Sequence, residues 1–490
     1  MDNGRQGDAS DRTTAGVTEA DAMAVHVRRN VWKLPDGDQT LAHYAAAVRE
    51  MKGRDPGDPT SWFYQAAMHK TTVTPPKPLW NGCQHGSWFF LSWHRMYLYF
   101  FERIVRATVV DLGGPADWAL PFWGYDAGGT QARIPPAFRE SQGGTNPLFA
   151  QRGNRVNLGQ ALPFQITSAA SALARPKFVG EAEFGGGITP GGDSIWNRHG
   201  QIELTPHGAV HNHLGGLMKN PRTAAQDPVF WLHHANIDRL WFEWSSRPGH
   251  SNPTDLRWRD QEYRFFDADG TEAPLTGAGI EDIANQLGYT YESNVAITTP
   301  TPTPTPPLPP VPEMSMSNPN ASGPTRPERR ELVGASQHPV RLVGRAASVA
   351  VPIDERTVRS LGVGLGAMAA EARGRVYLSV EDIEGDESPD TVYGIYVNLP
   401  DGASEELAES RRVGNLPFFG IELAQDPRGD EHPHGLRVTV EITPLVRRLE
   451  AENAWDDHEM LVTFLPLGFT EPEGEDDPPV QIGRVSLGYT

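Results

Sequence analysis

Hydrophobic residues recur at helical spacing along the first half of the chain. From Thr40 to Lys52 they lie three or four positions apart, which predicts an amphipathic helix. Asp58-Pro59-Thr60 predicts the start of a second helix, which would carry His69. The run from Ser92 to Val110 is apolar around most of its circumference, and a helix of that kind is buried.

A fourth helix is predicted from Asp227 to Phe242. Asp227 can cap its N-terminus, and Pro228 suits the first helical position. Residues 127–200 are instead rich in Gly, Pro and Asn, which predicts long loops. Loops of that length beside a functional site usually shape access to it.

The last third of the chain has a different pattern. Alternating Thr and Pro begin at Thr298, and Ser, Asn and Pro continue to Arg330, which predicts an extended linker. Beyond it, segments rich in β-branched residues are separated by turn signals, and this pattern predicts an antiparallel β-sandwich or barrel. These segments are 340–351, 376–380, 394–398, 436–442 and 460–464. The predicted divisions are a disordered N-terminus (1–20), a helical domain (21–297), a linker (298–330) and a β-rich domain (331–490).

Composition narrows the possible partners and location. The 490 residues suggest two or three domains. The net charge of −19 argues against nucleic acid or an anionic membrane as a partner. No apolar run approaches the roughly 20 residues of a membrane helix, and the first residues lack the features of a secretion signal. We therefore expect a cytoplasmic protein, although export by a companion protein would leave no mark here. The oligomeric state is not indicated.

Six of the 16 histidines form two triplets along the sequence. His69, His85 and His94 lie around the apolar third helix, and His207, His211 and His234 lie around the fourth. Histidines four apart on a helix share a face, so His207 and His211 can meet one ion. Three neutral imidazoles without carboxylate or thiolate suit copper. A zinc hydrolase is the alternative metal site, but neither His-Glu-x-x-His nor Cys-x-x-Cys spacing occurs.

The flanking motifs resemble the type-3 copper family of tyrosinases, catechol oxidases and molluscan-type haemocyanins. The motifs are the eight-residue gap between His85 and His94, the run Trp93-His94-Arg95-Met96-Tyr97-Leu98, and Asp227-Pro228-Val229-Phe230-Trp231-Leu232-His233-His234 with Asp238-Arg239-Leu240-Trp241 after it. The resemblance covers about residues 25–295. It implies a mainly α catalytic domain, a four-helix bundle around two copper ions. Copper A would be held by His69, His85 and His94, and copper B by His207, His211 and His234, with His233 a neighbour only.

The same resemblance implies roles for side chains around the ligands. Cys83, the only cysteine, stands two residues before His85, where relatives carry a thioether between cysteine and histidine. A small buried thiol is the alternative for Cys83. Phe90 and Phe230 each stand one turn before a histidine, and we expect them to pack against the ligand rings. The remaining histidines, among them His199 and His213, do not match ligand positions.

The resemblance further implies phenolic substrates and O2. Glu203 resembles a glutamate that holds a water as base for monophenol hydroxylation, with a solvated or capping carboxylate as the alternative. Gly208 stands where strong monophenolases commonly have asparagine. We therefore expect oxidation of o-diphenols or o-aminophenols, with weak monophenol hydroxylation. A true tyrosinase and a haemocyanin-like oxygen carrier are the alternatives.

Residues 393–489 resemble the C-terminal domain of plant polyphenol oxidases. The likeness is carried by Tyr396-Val397-Asn398 and Gly483-Arg484-Val485. It implies a shielding domain that docks over the copper site and keeps the enzyme latent. Leu416-Pro417-Phe418-Phe419-Gly420 is an apolar stretch from which a side chain could enter the substrate pocket, although core packing is the alternative for each of its residues.

Overall fold

The computed structural model describes residues 25–189, 197–292, 330–354, 374–424, 435–468 and 477–490. The described elements up to residue 292 are mainly helical, and those from residue 330 onward are mainly strands. This arrangement confirms the predicted fold class. The expected disordered N-terminus and almost all of the expected linker lie outside the described residues, and the proposed domain boundaries stay predictions.

The helical part surrounds one aromatic-rich core. Its helices are α1 (Thr40–Gly53), α2 (Trp62–His69), α3 (Phe90–Asp111), α4 (Phe164–Thr167), α5 (Ala170–Leu173), α6 (Ala209–Leu214), α7 (Val229–Ser245), α8 (Leu256–Arg259) and α9 (Ile283–Leu287). Its strands are β1 (His26–Arg28), β2 (Glu262–Phe266), β3 (Glu272–Thr276) and β4 (Tyr289–Tyr291). Between residues 125 and 173 the chain forms only short helical turns, as the expected long loops require.

The long helices begin and end close to their predicted bounds, but two local details differ. The second helix is capped by Ser61, whose side chain accepts a hydrogen bond from Tyr64 N, because Asp58 turns back onto Thr60 instead. His207 and His211 do not share one regular helix. A π-helical segment (Glu203–Gly208) is interrupted at Thr205 and carries His207, and α6 continues from it and carries His211.

A buried charge network joins both ends of the helical part. Asp238 on α7 accepts hydrogen bonds from Tyr289 at 2.6 Å and Tyr291 at 2.5 Å, and it pairs with Arg95 at 2.5 Å. Arg28 of β1 lies 3.3 Å from the same carboxylate. Burial would raise the pKa of Asp238, but Arg95 and Arg28 hold it below its usual value. The Tyr-x-Tyr pair therefore fastens β4, and β1 beside it, to the histidine-bearing helix.

The C-terminal part is a β-sandwich, because its strands pair in two separate antiparallel sheets. The strands are β5 (Glu331–Ala335), β6 (Val340–Leu342), β7 (Ala347–Pro352), β8 (Val376–Glu384), β9 (Val392–Val397), β10 (Arg412–Leu416), β11 (Leu436–Glu441), β12 (Glu459–Leu467) and β13 (Val480–Tyr489). One sheet has the order β10-β9-β12-β7, and the other β11-β8-β13-β5 with β6 also on β13. Helices α10 (Glu405–Arg411), α11 (Ile421–Ala424) and α12 (Thr443–Ala451) connect strands.

The expected strand from 340 to 351 is two strands, because Gly344 adopts a positive φ of 72° in the turn between them. Strands β5, β10 and β13 were not predicted. β13 pairs with both β8 and β5 and is central to its sheet. Among the described residues, no helix is long and apolar enough to cross a membrane.

The β-sandwich, which we call the β domain, contacts the helical part through polar as well as apolar groups. Asn212 of α6 accepts a hydrogen bond from Phe418 N at 2.8 Å and donates one to Ser388 Oγ at 2.5 Å. Ion pairs across the contact join Arg175 to Glu441 (2.7 Å), Arg330 to Glu181 (2.9 Å), Arg375 to Glu183 (2.5 Å) and Lys219 to Asp390 (2.9 Å). The β domain is therefore docked on the helical part.

Candidate metal centre

The six predicted histidines converge on one buried place. His69 ends α2, His85 lies in the following loop, and His94 stands in the second turn of α3. His207 and His211 come from the π-helical segment and α6, and His234 comes from α7. All six are at most 3 % exposed. Ring centroids of His94 and His234 are 4.6 Å apart, so the two triplets face each other.

Backbone carbonyls orient four of these rings through Nδ1. The acceptors are Pro221 O for His69, Phe90 O for His94, Glu203 O for His207 and Met218 O for His211, at 2.7–3.1 Å. A neutral imidazole that donates from Nδ1 leaves Nε2 as a lone-pair donor. In His69, His94 and His207 that Nε2 is buried without a hydrogen-bond partner. Buried polar atoms of this kind indicate a bound group that the protein atoms alone do not supply.

The donor set fits copper. Nε2 of His211 and Nε2 of His234 are 3.3 Å apart. Two imidazole nitrogens each about 2.0 Å from one ion at a tetrahedral angle are about 3.3 Å apart. Burial lowers the pKa of His69 to about 3 and that of His234 well below its usual value, so these rings stay neutral, as metal ligands must be. The two histidine groups therefore fit a dicopper centre.

His233 lies closer to the second group than its expected role as a bystander suggests. Ring nitrogens of His207, His211, His233 and His234 all lie within 4.8 Å of one another. His233 Nδ1 is 3.0 Å from Tyr125 Oη, and its ring lies 4.8 Å from that of His211. The hydrogen bond to Tyr125 gives His233 a structural anchor of its own. The choice of His234 over His233 as the ligand stays a proposal.

Cys83 lies where the expected thioether would need it. The Cys83 sulfur and ring nitrogens of His69 and His85 all lie within 4.8 Å of one another. Cys83 is 2 % exposed, and burial raises the pKa of its thiol to about 11. This proximity is compatible with a thioether to His85 and with an ordinary buried thiol, so the cross-link stays a prediction.

Two phenylalanines pack against the histidine rings as expected. The Phe90 ring centroid is 4.7 Å from that of His94 and 4.5 Å from that of His207. The Phe230 centroid is 4.2 Å from that of His234 and 5.1 Å from that of His69. Each phenylalanine therefore packs against rings of both triplets.

Glu203 and Gly208 border the same centre. Glu203 Oε1 accepts a hydrogen bond from Gly86 N at 2.8 Å, and Oε2 is buried without a partner. Burial raises the pKa of Glu203 well above its usual value. Glu203 is therefore not a solvated carboxylate. Its interaction with the backbone N–H of Gly200 is compatible with a capping role, so its role as a base stays a prediction. Gly208 lies against the β domain, because a Cβ built on it would be 3.3 Å from Pro417.

Phe419 of the β domain reaches the histidines. Its ring stacks on His211 with centroids 4.0 Å apart, and its centroid is 5.5 Å from that of His207 and 5.7 Å from that of His85. A cavity of about 10 Å³ remains beside it. That is about the space of a single water molecule, so no phenol fits while Phe419 is in place. The lining residues are His199, Glu203, Leu204, His207, Gly208, Pro417, Phe419, Leu436 and Val438.

Sequence reasoning missed two residues at this centre. His199 lines the cavity, and burial lowers its pKa to about 4. Asn212 is fully buried and binds the backbone on which Phe419 is carried. Neither has a spacing signal, because their partners in the β domain lie more than 170 residues away in sequence. His213, which was also set aside as a ligand, is buried as well.

Comparison with known proteins agrees with this architecture. Residues 59–183 and 183–247 match the common central domain of tyrosinase, and residues 329–490 match a domain of unknown function, DUF7868. The structure superimposes on that of a latent aurone synthase (polyphenol oxidase) with a TM-score of 0.63 and 22% identity, covering 95% of this chain and 90% of the other. Latent apple tyrosinase gives 0.61 and 20%, covering 95% and 97%. These likenesses show the fold.

Sequence relatives extend over nearly the whole chain. The latent, chloroplastic polyphenol oxidase of Prunus armeniaca is 25% identical, over 92% of this chain and 74% of its own length. A tyrosinase of Hahella sp. (strain CCB-MM4) is 34% identical over 501 aligned residues, which cover 94% of this chain and 98% of the relative. The chain therefore belongs to the tyrosinase family.

Proposed function

We propose that this chain is a copper-dependent polyphenol oxidase that uses O2 to oxidise o-diphenols or o-aminophenols to o-quinones, and that its β domain keeps it latent. The observation that carries the proposal is the Phe419 ring, stacked 4.0 Å from His211 in the middle of six convergent histidines. Because Phe419 comes from the β domain and covers the face of the histidine centre that a phenol would approach, the two compete for the same place.

The ligand assignment follows the two triplets. Copper A is held by His69, His85 and His94, and copper B by His207, His211 and His234. The 3.3 Å separation of Nε2 in His211 and His234 supports their sharing one ion. His233 is anchored through Nδ1 in the same way, by Tyr125, and its Nε2 is also buried without a partner. It is left out because the 3.3 Å approach to His211 is made by His234. The copper pair supplies the redox chemistry with O2, while the protein supplies geometry and an environment that excludes water.

The side chains around the centre act on an o-diphenol by binding and orienting it. Two o-diphenols and one O2 yield two o-quinones and two waters, so the protons leaving the phenols are taken up by oxygen. Phe90 and Phe230 pack against the ligand rings, which leaves the face now covered by Phe419 as the approach for a flat aromatic substrate. When a phenol displaces the Phe419 ring, one aromatic ring replaces another, so little apolar contact with the histidines is lost.

Hydroxylation of monophenols is proposed to be weak. A monophenol must lose its proton before it can coordinate, and Glu203, with its unpartnered Oε2, is the nearby candidate base through a water. Gly208 provides no side chain to hold that water against the carboxylate. The base is therefore present, but its water is poorly positioned.

A true tyrosinase with strong monophenol hydroxylation is the second candidate. The observation that favours it is Glu203 itself, since its backbone carbonyl orients His207 and its Oε2 is buried without a partner. The name of the Hahella relative, tyrosinase, points the same way for that protein. The ratio of the rates on a monophenol and on the matching o-diphenol separates the two candidates.

The copper requirement is tested by copper analysis and oxygen uptake on the same samples. We expect the purified chain to bind two coppers and, once opened by substitution of Phe419, to consume O2 with catechol. His94→Ala and His234→Ala should each lose about one copper per chain and nearly all oxygen uptake, because each removes one of three ligands. His338→Ala, at an exposed position of the β domain, is the control and should lose neither. Full copper content in both ligand variants would refute the assignment.

A further inference from the structure

Glu422 occupies an unfavourable position for a carboxylate. It lies on α11, three residues after Phe419, and this short helix follows directly from the segment that enters the copper site. Both Glu422 Oε1 and Oε2 are buried, and neither accepts a hydrogen bond from another residue. An ionised carboxylate without partners is costly to bury, whereas the protonated form costs much less. The docked β domain therefore favours a proton on Glu422.

The charged groups that face Glu422 come from both sides of the domain contact. Lys219 and Arg222 belong to the helical part, and Glu387 belongs to the β domain. Lys219 is already paired with Asp390 at 2.9 Å, and neither cation hydrogen-bonds to Glu422. Glu387 is a like charge and opposes ionisation of Glu422. The two cations attract the carboxylate without offsetting its burial, and the pKa of Glu422 is raised to about 7.

We propose that Glu422 is a proton-controlled latch of the β domain: its protonated form keeps Phe419 on the copper site, and its ionisation releases the domain. This inference rests on the proposed latency, which it deepens by naming the group that regulates it. The latch is separate from the copper ligands, because Glu422 belongs to the β domain and the charges of the helical part that act on it, Lys219 and Arg222, follow α6 and are not ligands.

The sign of the pH effect follows from the two states. Released from the contact, Glu422 regains its ordinary pKa of 4.5 and ionises more readily than in the docked state. Docking therefore takes up a proton between pH 4.5 and 7. Below this window the latch is closed, and through it the docking constant falls by up to tenfold per pH unit, on the order of 10² in total. Activity of the latent enzyme should rise correspondingly with pH.

The test compares the copper-loaded full-length wild type with Glu422→Gln between pH 5 and 8. Glutamine has nearly the shape of the protonated side chain and cannot ionise. The ratio of the two o-diphenol oxidation rates cancels pH effects on the shared copper site. We expect a ratio within a few-fold of one at pH 5 that rises roughly 10- to 100-fold further by pH 8. Glu405→Gln, an exposed carboxylate of the same domain, should track the wild type throughout.

Amide hydrogen exchange of α6, corrected for the intrinsic pH dependence, gives a readout that does not depend on turnover. α6 lies under Phe418 and Phe419, so its exchange should rise with pH in the wild type and stay low in Glu422→Gln. A flat rate ratio together with equal exchange in both proteins would overturn the latch.

Phe419→Ala separates the latch from the latency on which it rests. If this variant is no more active than wild type at any pH, the proposed latency is wrong, while exchange still decides whether Glu422 controls docking. If it is more active but the wild type and Glu422→Gln behave alike, only the latch is wrong.

Discussion

At the scale of the residue, Phe418 and Phe419 show what a sequence can and cannot indicate. Both lie in the apolar stretch predicted to hold the blocking side chain. Phe418 packs in the β domain against Tyr393, with ring centroids 6.0 Å apart, and Phe419 stacks on His211. Both alternatives weighed for the stretch are therefore realised, one by each residue. Composition could not separate them, because the choice depends on a partner surface about 200 residues earlier in the chain.

Gly208 is the residue at which substrate range should be adjustable. In Gly208→Asn the new amide can hold a water against Glu203, so the ratio of monophenol to o-diphenol rates should rise about tenfold. Using a ratio matters, because the added Cβ would press on Pro417 at 3.3 Å and loosen docking as well. Gly208→Ala adds the same contact without the amide and should leave the ratio unchanged. An equal rise in both variants would contradict the role of the amide.

At the scale of the element, the Asp238 network should determine the stability of the helical part. In Asp238→Asn the charge of Arg95 remains buried without its counter-ion, whereas Arg28 keeps its ion pair with Glu102 at 2.6 Å. We expect the free energy of unfolding to fall by about 3–5 kcal/mol. Denaturant titration of the helical signal measures this, with Asp269→Asn, a surface position in the β2–β3 turn, as control. A loss under about 1 kcal/mol would mean that the network is not a principal source of stability.

A helix or strand could be predicted where the signal for it lies within its own sequence. Helices α1, α3 and α7 lie close to their predicted bounds because the spacing of apolar residues acts within a few turns. The break at Thr205 was not predicted, although Pro206 directly after it disfavours helical backbone at that residue. β13 was missed for a different reason. Its exposed and buried positions are set by pairing with β8 and β5, not by regular alternation.

At the scale of the whole molecule, the two domains act as one closed unit. Ion pairs surround the contact, Asn212 fastens the backbone of Phe418, and Phe419 fills the centre. The sequence indicated both domains and their order, since linker composition and strand patterning are local. The sequence could not indicate that Asn212, Glu422 or the paired charges lie at the contact. Two surfaces that fit each other leave no repeating pattern in the sequence of either domain.

The most direct test of the account is the o-diphenol oxidation rate per bound copper of full-length Phe419→Ala against the wild type. Leu461→Ala, which removes a partly exposed side chain from the β domain, serves as the matched control. We predict that Phe419→Ala raises the rate at low substrate roughly tenfold or more at unchanged copper content, since it vacates the face over His211. The control should match the wild type. Equal rates in Phe419→Ala and wild type, at equal copper content, would contradict the claim that the β domain holds a phenol oxidase closed.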